Sequence, residues 1–320
     1  MTSTILITID VEDWFQVENF KQYIPFSTWS SYEFRVEKNV HRLLNLFDSC
    51  KPQPTTDNRH AHKVRCTFFI LGWLAERLPH LVREIQDRGH EVASHGFDHN
   101  LCYEEPKDRL KQDLLDSKKL LEDIIGVSVF GYRAPSFSIS DDTLKVIEEC
   151  GYLYDSSFNS FAMHDRYGKI LLNSYIKKGI SHQVSNNFFE LPISNLDLRN
   201  PLSYELSVLS SERNIWKNLF SGSFTLPWGG GAYFRIIPFS IFKRGVENIL
   251  KKENAYLFYM HPWEIDPDQP RVGEASSSCK FRHYINLNRT FLKLTRFIEY
   301  FGQCRFVSCR QYLDEIADRS

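Results

Sequence analysis

An α/β fold with a mainly parallel sheet is predicted by three features of the sequence. A continuous apolar, β-branched run at residues 4–9 reads as a strand buried on both faces. Strand-like and helix-like segments then alternate to about residue 156. Polar residues able to carry chemistry cluster directly after those strands, the edge on which parallel α/β proteins build their sites.

The first strand ends in Asp10-Val11-Glu12-Asp13, three carboxylates in four residues, which are costly to desolvate without a partner or a purpose. A solvated acidic turn is the plain alternative. Residues 33–48 carry Val36, Val40, Leu43, Leu44 and Phe47 on one helical face. Residues 51–63 are polar, contain Pro52 and Pro54, and read as a surface loop holding His60-Ala61-His62. Residues 64–71 form the second strand, helical segments run to about Arg88, and Gly89 closes them. A short third strand at 90–93 is followed by His95-Gly96-Phe97-Asp98-His99. Histidines four apart lie together on one side of a helical turn, and imidazole is the commonest protein metal ligand. Two of eleven histidines also fall at this spacing by chance.

A long amphipathic helix at 106–125 precedes a fourth strand at 127–132, which leads into Arg133-Ala134-Pro135-Ser136-Phe137. Ser140 caps a helix at 141–150, and a fifth strand at 152–154 leads into Asp155-Ser156-Ser157. The rhythm then breaks. Residues 188–193 look like a strand, and Pro227-Trp228-Gly229-Gly230-Gly231-Ala232-Tyr233-Phe234-Arg235 is a glycine-rich aromatic turn without the spacing of a nucleotide loop. Its glycines would let the backbone approach a ligand closely, or simply form a tight turn. A helix at 238–251 precedes a late buried strand at 255–260 that ends in His261-Pro262-Trp263-Glu264. A final helix at 287–301 and a strand at 305–308 follow.

Composition narrows the class. Apolar residues make up 42% and charged residues 25%, ordinary values for a globular chain of 320 residues, which could be one large domain or two smaller ones. Net charge is −1 and the pI about 6.8, so no nucleic-acid partner is expected. The seven cysteines are odd in number and form no Cys-x-x-Cys, which fits a reducing compartment. Asp10 and Glu12 interrupt the N-terminal apolar run before it can serve as a signal peptide, and no apolar run of transmembrane length occurs. We therefore expect a soluble cytoplasmic protein. Lys293 and Arg296, with Phe291, Leu294 and Phe297, would permit peripheral membrane contact, although an ordinary amphipathic helix explains the same pattern.

Taken in order, these strand-end motifs resemble the NodB-type polysaccharide deacetylases, carbohydrate esterase family four. The resemblance covers roughly residues 4–156 and the late strand with His261. It rests on Asp10-Val11-Glu12-Asp13, on His95 and His99, on Arg133-Ala134-Pro135-Ser136-Phe137, on Asp155-Ser156-Ser157 and on Leu257-Phe258-Tyr259-Met260-His261. The first motif departs from the family's usual Asp-Asp pair. The stretch Asp-Val-Glu-Asp-Trp, with Pro-x-Gly-Gly-Gly-x-Tyr-Phe-Arg, is similar to a cytoplasmic branch associated with bacterial exopolysaccharide and O-antigen loci.

The resemblance implies a distorted (β/α)7 barrel forming a single domain over residues 1–320, with a subfamily elaboration at about 160–280. It implies a divalent metal, Zn²⁺ in the first instance, held by His95, His99 and a carboxylate. Strand alternation favours Glu12 for that carboxylate, whereas a turn after residue 11 would present Asp13. We take Asp13, because the family ligand is an aspartate, and keep Glu12 as the alternative. Asp10 would be the general base, Arg133 would keep it ionised and oriented, and His261 would protonate the leaving amine with Asp155 raising its pKa. A backbone N–H near Trp14 would help hold the oxyanion. Phe137, Trp228 and Trp263 would contact the sugar, with core packing the alternative for the two tryptophans. The expected substrate is an N-acylated amino sugar, in a saccharide, a lipid-linked glycan or a sugar nucleotide, and the reaction is removal of the acyl group, acetyl or else formyl. A catalytically inactive sugar-binding protein on the same fold is the alternative from another class. A two-metal phosphoesterase would need a second ligand cluster, which the sequence does not offer.

Overall fold

The computed structural model describes residues 2–50, 63–161, 167–197 and 225–317. His60-Ala61-His62 and about a quarter of the expected elaboration lie outside these residues. Strand β1 (Thr4–Val11) is buried along its whole length, as its unbroken apolar run requires. It is followed by α1 (Val36–Ser49), β2 (Cys66–Ile70), α2 (Gly72–Arg77), α3 (Pro79–Asp87), β3 (Glu91–Ser94) and α4 (Lys107–Ile125). Then come β4 (Gly131–Tyr132), α5 (Asp141–Glu149) and β5 (Tyr154–Asp155). The helical stretch before Arg88 is broken at Leu78, where Pro79 begins α3, as expected of a residue that precedes proline.

Beyond β5 the chain adds β6 (Ile176–Lys178), β7 (Ser181–Gln183), β8 (Phe189–Glu190), and the small antiparallel pair β9 (Leu196–Asp197) and β10 (Thr225–Leu226). It then runs through α6 (Gly231–Ile236), α7 (Phe239–Glu253), β11 (Ala255–Met260), α8 (Ser277–Tyr284), α9 (Leu287–Tyr300), β12 (Arg305–Phe306) and α10 (Cys309–Ala317).

The main sheet runs β11-β1-β2-β3-β4-β5-β8-β7-β6, with β12 joining the lower part of β1. Every pairing from β11 to β8 is parallel, and the β8-β7-β6 end is antiparallel. The result is a curled half-barrel flanked by helices, a distorted barrel of the expected type. Single hydrogen bonds, rather than a ladder, bring the far side towards β11: Ser194 donates to the Leu257 carbonyl, and Tyr259 donates to that of Gly229.

This topology positions the site. Because the strands run parallel, Asp10, His95, Arg133, Asp155 and His261 all emerge at one edge. Register sharpens the placement, since Ile9 pairs with Met260 and so sets His261 next to Asp10. His95 donates its backbone N–H to Ile70, and Arg133 donates its own to Ser94.

The core holds two of the groups considered above. Trp228 stacks on Phe242 with centroids 5.5 Å apart and donates Nε1–H to the Phe242 carbonyl at 2.8 Å, so it packs the interior and does not face a sugar. Leu294 and Phe297 of α9 are buried, and Lys293 donates to the Phe234 and Ile237 carbonyls at the end of α6, so this face of the helix is turned inward. All seven cysteines are unpaired thiols. Among the described residues, no helix is long and apolar enough to cross a membrane.

Candidate metal centre and active site

The histidine pair is carried by a loop, not by a helical turn. The chain leaves β3 at Ser94, and both Gly96 (φ +75°) and His99 (φ +59°) take left-handed backbone conformations. A left-handed conformation is uncommon for a histidine and marks a position held by its surroundings. The holding groups are visible. Gly72 and Trp73, at the start of α2, donate their N–H groups to the Gly96 and Phe97 carbonyls, and Asp113 accepts from the Phe97 N–H. The buried Asp113 carboxyl is pushed up to about 7, mainly by desolvation.

This loop brings both imidazoles to one carboxylate oxygen. Glu12 Oε1 lies 3.1 Å from His95 Nε2 and 3.0 Å from His99 Nε2. The three ligand atoms all fall within 4.8 Å of one another, and all three residues are buried. On the far side of its ring, His95 Nδ1 is 2.8 Å from the Arg133 carbonyl. A carbonyl only accepts, so Nδ1 donates there, and Nε2 is the nitrogen that faces Glu12. Glu18 Oε2 faces His99 Nδ1 at 4.0 Å. Burial raises the Glu12 pKa, but His99, His261 and the hydrogen bonds from both imidazoles together hold it well below the ordinary value. One ionised carboxylate and two imidazole nitrogens are a donor set suited to a divalent ion.

Asp13, taken above as the metal carboxylate, is directed elsewhere. Its Oδ2 accepts from the Arg35 and Val36 N–H groups at 2.7 and 2.9 Å, and its Oδ1 accepts from Trp14 N–H. It caps the start of α1, satisfying amides that the helix leaves open. Burial pushes its pKa up to about 6 despite those donors. Strand alternation, the reason for keeping Glu12 as the alternative, is what the geometry follows. The proposed oxyanion donor near Trp14 is also engaged, because that amide serves Asp13, and the Asp13 amide donates to Gln16 Oε1. The Trp14 ring is buried against Phe15 and Tyr32 rather than in the pocket.

Asp10 and Arg133 meet as the motifs predict. Arg133 donates from its Nη1 to Asp10 Oδ1 at 2.6 Å and to Thr8 Oγ1 at 2.7 Å, and from Nε and Nη2 to the carbonyl and hydroxyl of Ser156. It is fully buried, with its guanidinium 4.1 Å over the Phe69 ring. Phe137 lines the same pocket and meets Tyr259 edge-on, with centroids 4.7 Å apart.

His261 also lines this pocket, with Nε2 3.7 Å from Glu12 Oε1. Its carboxylate partner is not Asp155. Asp155 accepts from the Ser157 hydroxyl and N–H and pairs with Glu190 from the neighbouring strand. Desolvation raises the pKa of both fully buried carboxyls, and the Asp155 charge pushes Glu190 further, well above its usual value. The partner of His261 is Glu264, whose Oε1 accepts from His261 Nδ1 at 2.9 Å and from its backbone N–H at 3.0 Å. Arg235 donates Nε–H to the other oxygen of Glu264 at 2.7 Å. Burial opposes the imidazolium, but Glu12, Glu264 and Asp10 outweigh it and push the His261 pKa up to about 9. Trp263 lines the pocket, yet its ring is buried and already stacked on His261 (5.1 Å, 22°) and on His283 (4.1 Å, 13°), which leaves little of it for stacking on a sugar.

Glu264 and Arg235 were not identified from sequence. The available signal was a carboxylate three residues after a strand-end histidine, across a Pro-initiated turn. Arg235 had no such signal, because its partner lies 29 residues away.

Parts of the chain are similar to known proteins. A family model described as polysaccharide deacetylase matches residues 47–154, and a model described as a domain of unknown function (DUF3473) matches residues 217–314. Over 132 residues the chain is 31% identical to a peptidoglycan-N-acetylglucosamine deacetylase of Bacillus cereus, a match covering 40% of this chain and 59% of that protein. The first curated relatives are matched over 59%, 36% and 50% of their own lengths. Among solved structures, a candidate polysaccharide deacetylase from Mycobacterium smegmatis superposes with a TM-score of 0.59 at 18% identity, covering 99% of this chain and 91% of that one. The PuuE allantoinase gives a TM-score of 0.54 at 17% identity, covering 97% and 89%. These superpositions show a shared fold. In sequence, about 40% of the chain is homologous to polysaccharide and peptidoglycan deacetylases.

Proposed function

We propose that the chain is a metal-dependent amide hydrolase that removes an N-acyl group, in the first instance acetyl, from an amino sugar. The observation that carries the proposal is the convergence of Glu12, His95 and His99 in one pocket with Asp10 and His261 beside them. A divalent ion held by those three residues, Zn²⁺ in our reading, would polarise the acyl carbonyl and acidify a bound water.

The protein's own groups then divide the proton transfers. Asp10, gripped by Arg133, takes a proton from the attacking water as the water oxygen bonds to the acyl carbon. The C–N bond breaks, and His261 passes its Nε2 proton to the departing nitrogen. The products are a carboxylate and a free amine. Phe137 and Tyr259 supply an apolar wall suited to a methyl group.

The relatives are named for peptidoglycan and chitooligosaccharide deacetylation, which supports an N-acetylated amino sugar. We read the chain as one catalytic domain whose segment at about 160–280 is an elaboration. We further read the substrate as a saccharide, lipid-linked glycan or sugar nucleotide used in bacterial surface polysaccharide synthesis on the cytoplasmic side. The test is to load the protein with Zn²⁺ and offer N-acetylated and N-formylated oligosaccharides. Acetate release with one new amine per acetate is expected. Formate release alone would reassign the acyl group, and a metal-loaded protein inert on both sets would point to sugar binding without catalysis.

A further inference from the structure

We propose that Arg235 and Glu264 are positioning residues that hold His261 in the orientation needed to hand its proton to the departing amine. The proposal rests on the hydrolase reading above and assigns a role within the stretch matched as a domain of unknown function.

An imidazole at the end of a strand rotates about two side-chain torsions, and a proton donor is useful only within a narrow range of them. Three contacts restrict His261. Glu264 Oε1 accepts from its Nδ1 and from its backbone N–H, and the Trp263 ring stacks on it at 5.1 Å. A carboxylate only accepts, so Nδ1 is the protonated partner of Glu264 and Nε2 is the nitrogen turned towards Glu12.

Arg235 secures both restraints. Its Nε–H grips Glu264 Oε2 at 2.7 Å. Its Nη1 donates to the His283 and Ile285 carbonyls at 2.7 and 3.1 Å, and its Nη2 donates to the Arg282 carbonyl at 2.9 Å. His283 in turn backs the outer face of Trp263 at 4.1 Å. One planar guanidinium therefore fixes the carboxylate that orients the imidazole and the segment that supports its stacking partner. Lysine has no such fork.

The glycine run has its reason here. A Cβ on Gly231 would lie 2.3 Å from Glu264 Oε1, so the space that Glu264 occupies exists because residue 231 has no side chain. A buried Arg–Glu pair is a weak way to stabilise a fold, since desolvation offsets most of its attraction. Its place against a pocket-lining histidine agrees with a positioning role.

The test compares Arg235→Lys and Glu264→Gln with the native protein, all Zn²⁺-loaded, on the tetramer of N-acetylglucosamine and on 4-nitrophenyl acetate. An amine must be protonated to leave, whereas 4-nitrophenolate leaves without a proton. We expect kcat on the tetramer to fall about 10- to 100-fold with KM within about threefold, and ester turnover to fall far less. Metal content should remain at one ion per chain. An unchanged kcat would overturn the proposal, as would parallel losses on both substrates, which would make the two residues merely structural. A native protein inert on the tetramer and on other N-acetylated oligosaccharides would overturn the hydrolase reading, and this proposal with it. Histidine ¹⁵N spectra of the metal-free protein give a readout without substrate. His261 Nδ1 should carry its proton in the native protein and lose that preference in Glu264→Gln. A native Nδ1 without a proton would contradict the arrangement outright.

Discussion

Residues 4–156 and residues 225–285 face one another across a single pocket, and they deliver side chains to it differently. In the first region the chemical groups lie at or just beyond the C-terminal ends of parallel strands, and the backbone itself fixes where Asp10, Glu12, His95 and Arg133 emerge. In the second region only His261 follows a strand. Its orientation depends on Glu264 across a short turn, on Arg235 from a helix 29 residues before that glutamate, and on His283 from another helix. Sheet register thus supplies the ion-binding and base side of the site, and a long-range polar brace supplies the acid side.

If this division holds, the largest losses come from the sheet-borne groups. His95→Ala or His99→Ala should abolish both stoichiometric metal and acetate release while leaving circular dichroism unchanged. Metal analysis showing one ion per chain in either variant would remove the histidine from the site. Asp10→Asn should keep the metal and lower kcat by about 10²- to 10⁴-fold, the usual scale of a lost general base. Loss of the metal instead would make Asp10 a ligand.

The brace predicts a pH effect in the metal-free protein. His261 is pushed up to about 9, above the ordinary histidine value near 6.5. Its contribution to stability is therefore complete below about pH 6.5 and disappears as pH rises through about 9. Denaturant midpoints across this range should fall for the native protein and fall less for Glu264→Gln. Identical slopes in the two proteins would show that Glu264 does not act on His261. The smallest effect is expected for Glu190→Gln, because burial and the Asp155 charge push the Glu190 carboxyl well above its usual value and an uncharged amide of the same shape can take its place. Stability should change by no more than about 1 kcal/mol, and a loss of several would mean that the pair is not protonated there.

The same contrast explains what could be read from sequence. Buried apolar runs and the residues after them placed β1, β2, β3 and β11, and with them the edge where Asp10, His95, His99, Arg133 and His261 gather. The pattern could not show which of two adjacent carboxylates turns inward, because that depends on where the open amides of α1 lie. Asp13 was drawn to Arg35 and Val36, more than twenty residues away. Trp228 and Trp263 were legible as aromatic but not as covered, since Phe242 and His283 come from other elements. Asp155 carried the right motif, and Glu264 took the role expected of it, because β5 sets Asp155 against Glu190 and the turn after β11 sets Glu264 against His261.

The central claim is that Glu12, and not Asp13, completes the ion-binding group with His95 and His99. Metal content of Glu12→Ala and Asp13→Ala, purified side by side and loaded with Zn²⁺, tests it most directly. Glu12→Ala should hold no stoichiometric ion. Asp13→Ala should hold one per chain and lose about 1–3 kcal/mol of stability as the amides of α1 lose their acceptor. The reverse outcome, an empty Asp13→Ala beside a fully loaded Glu12→Ala, would contradict the account.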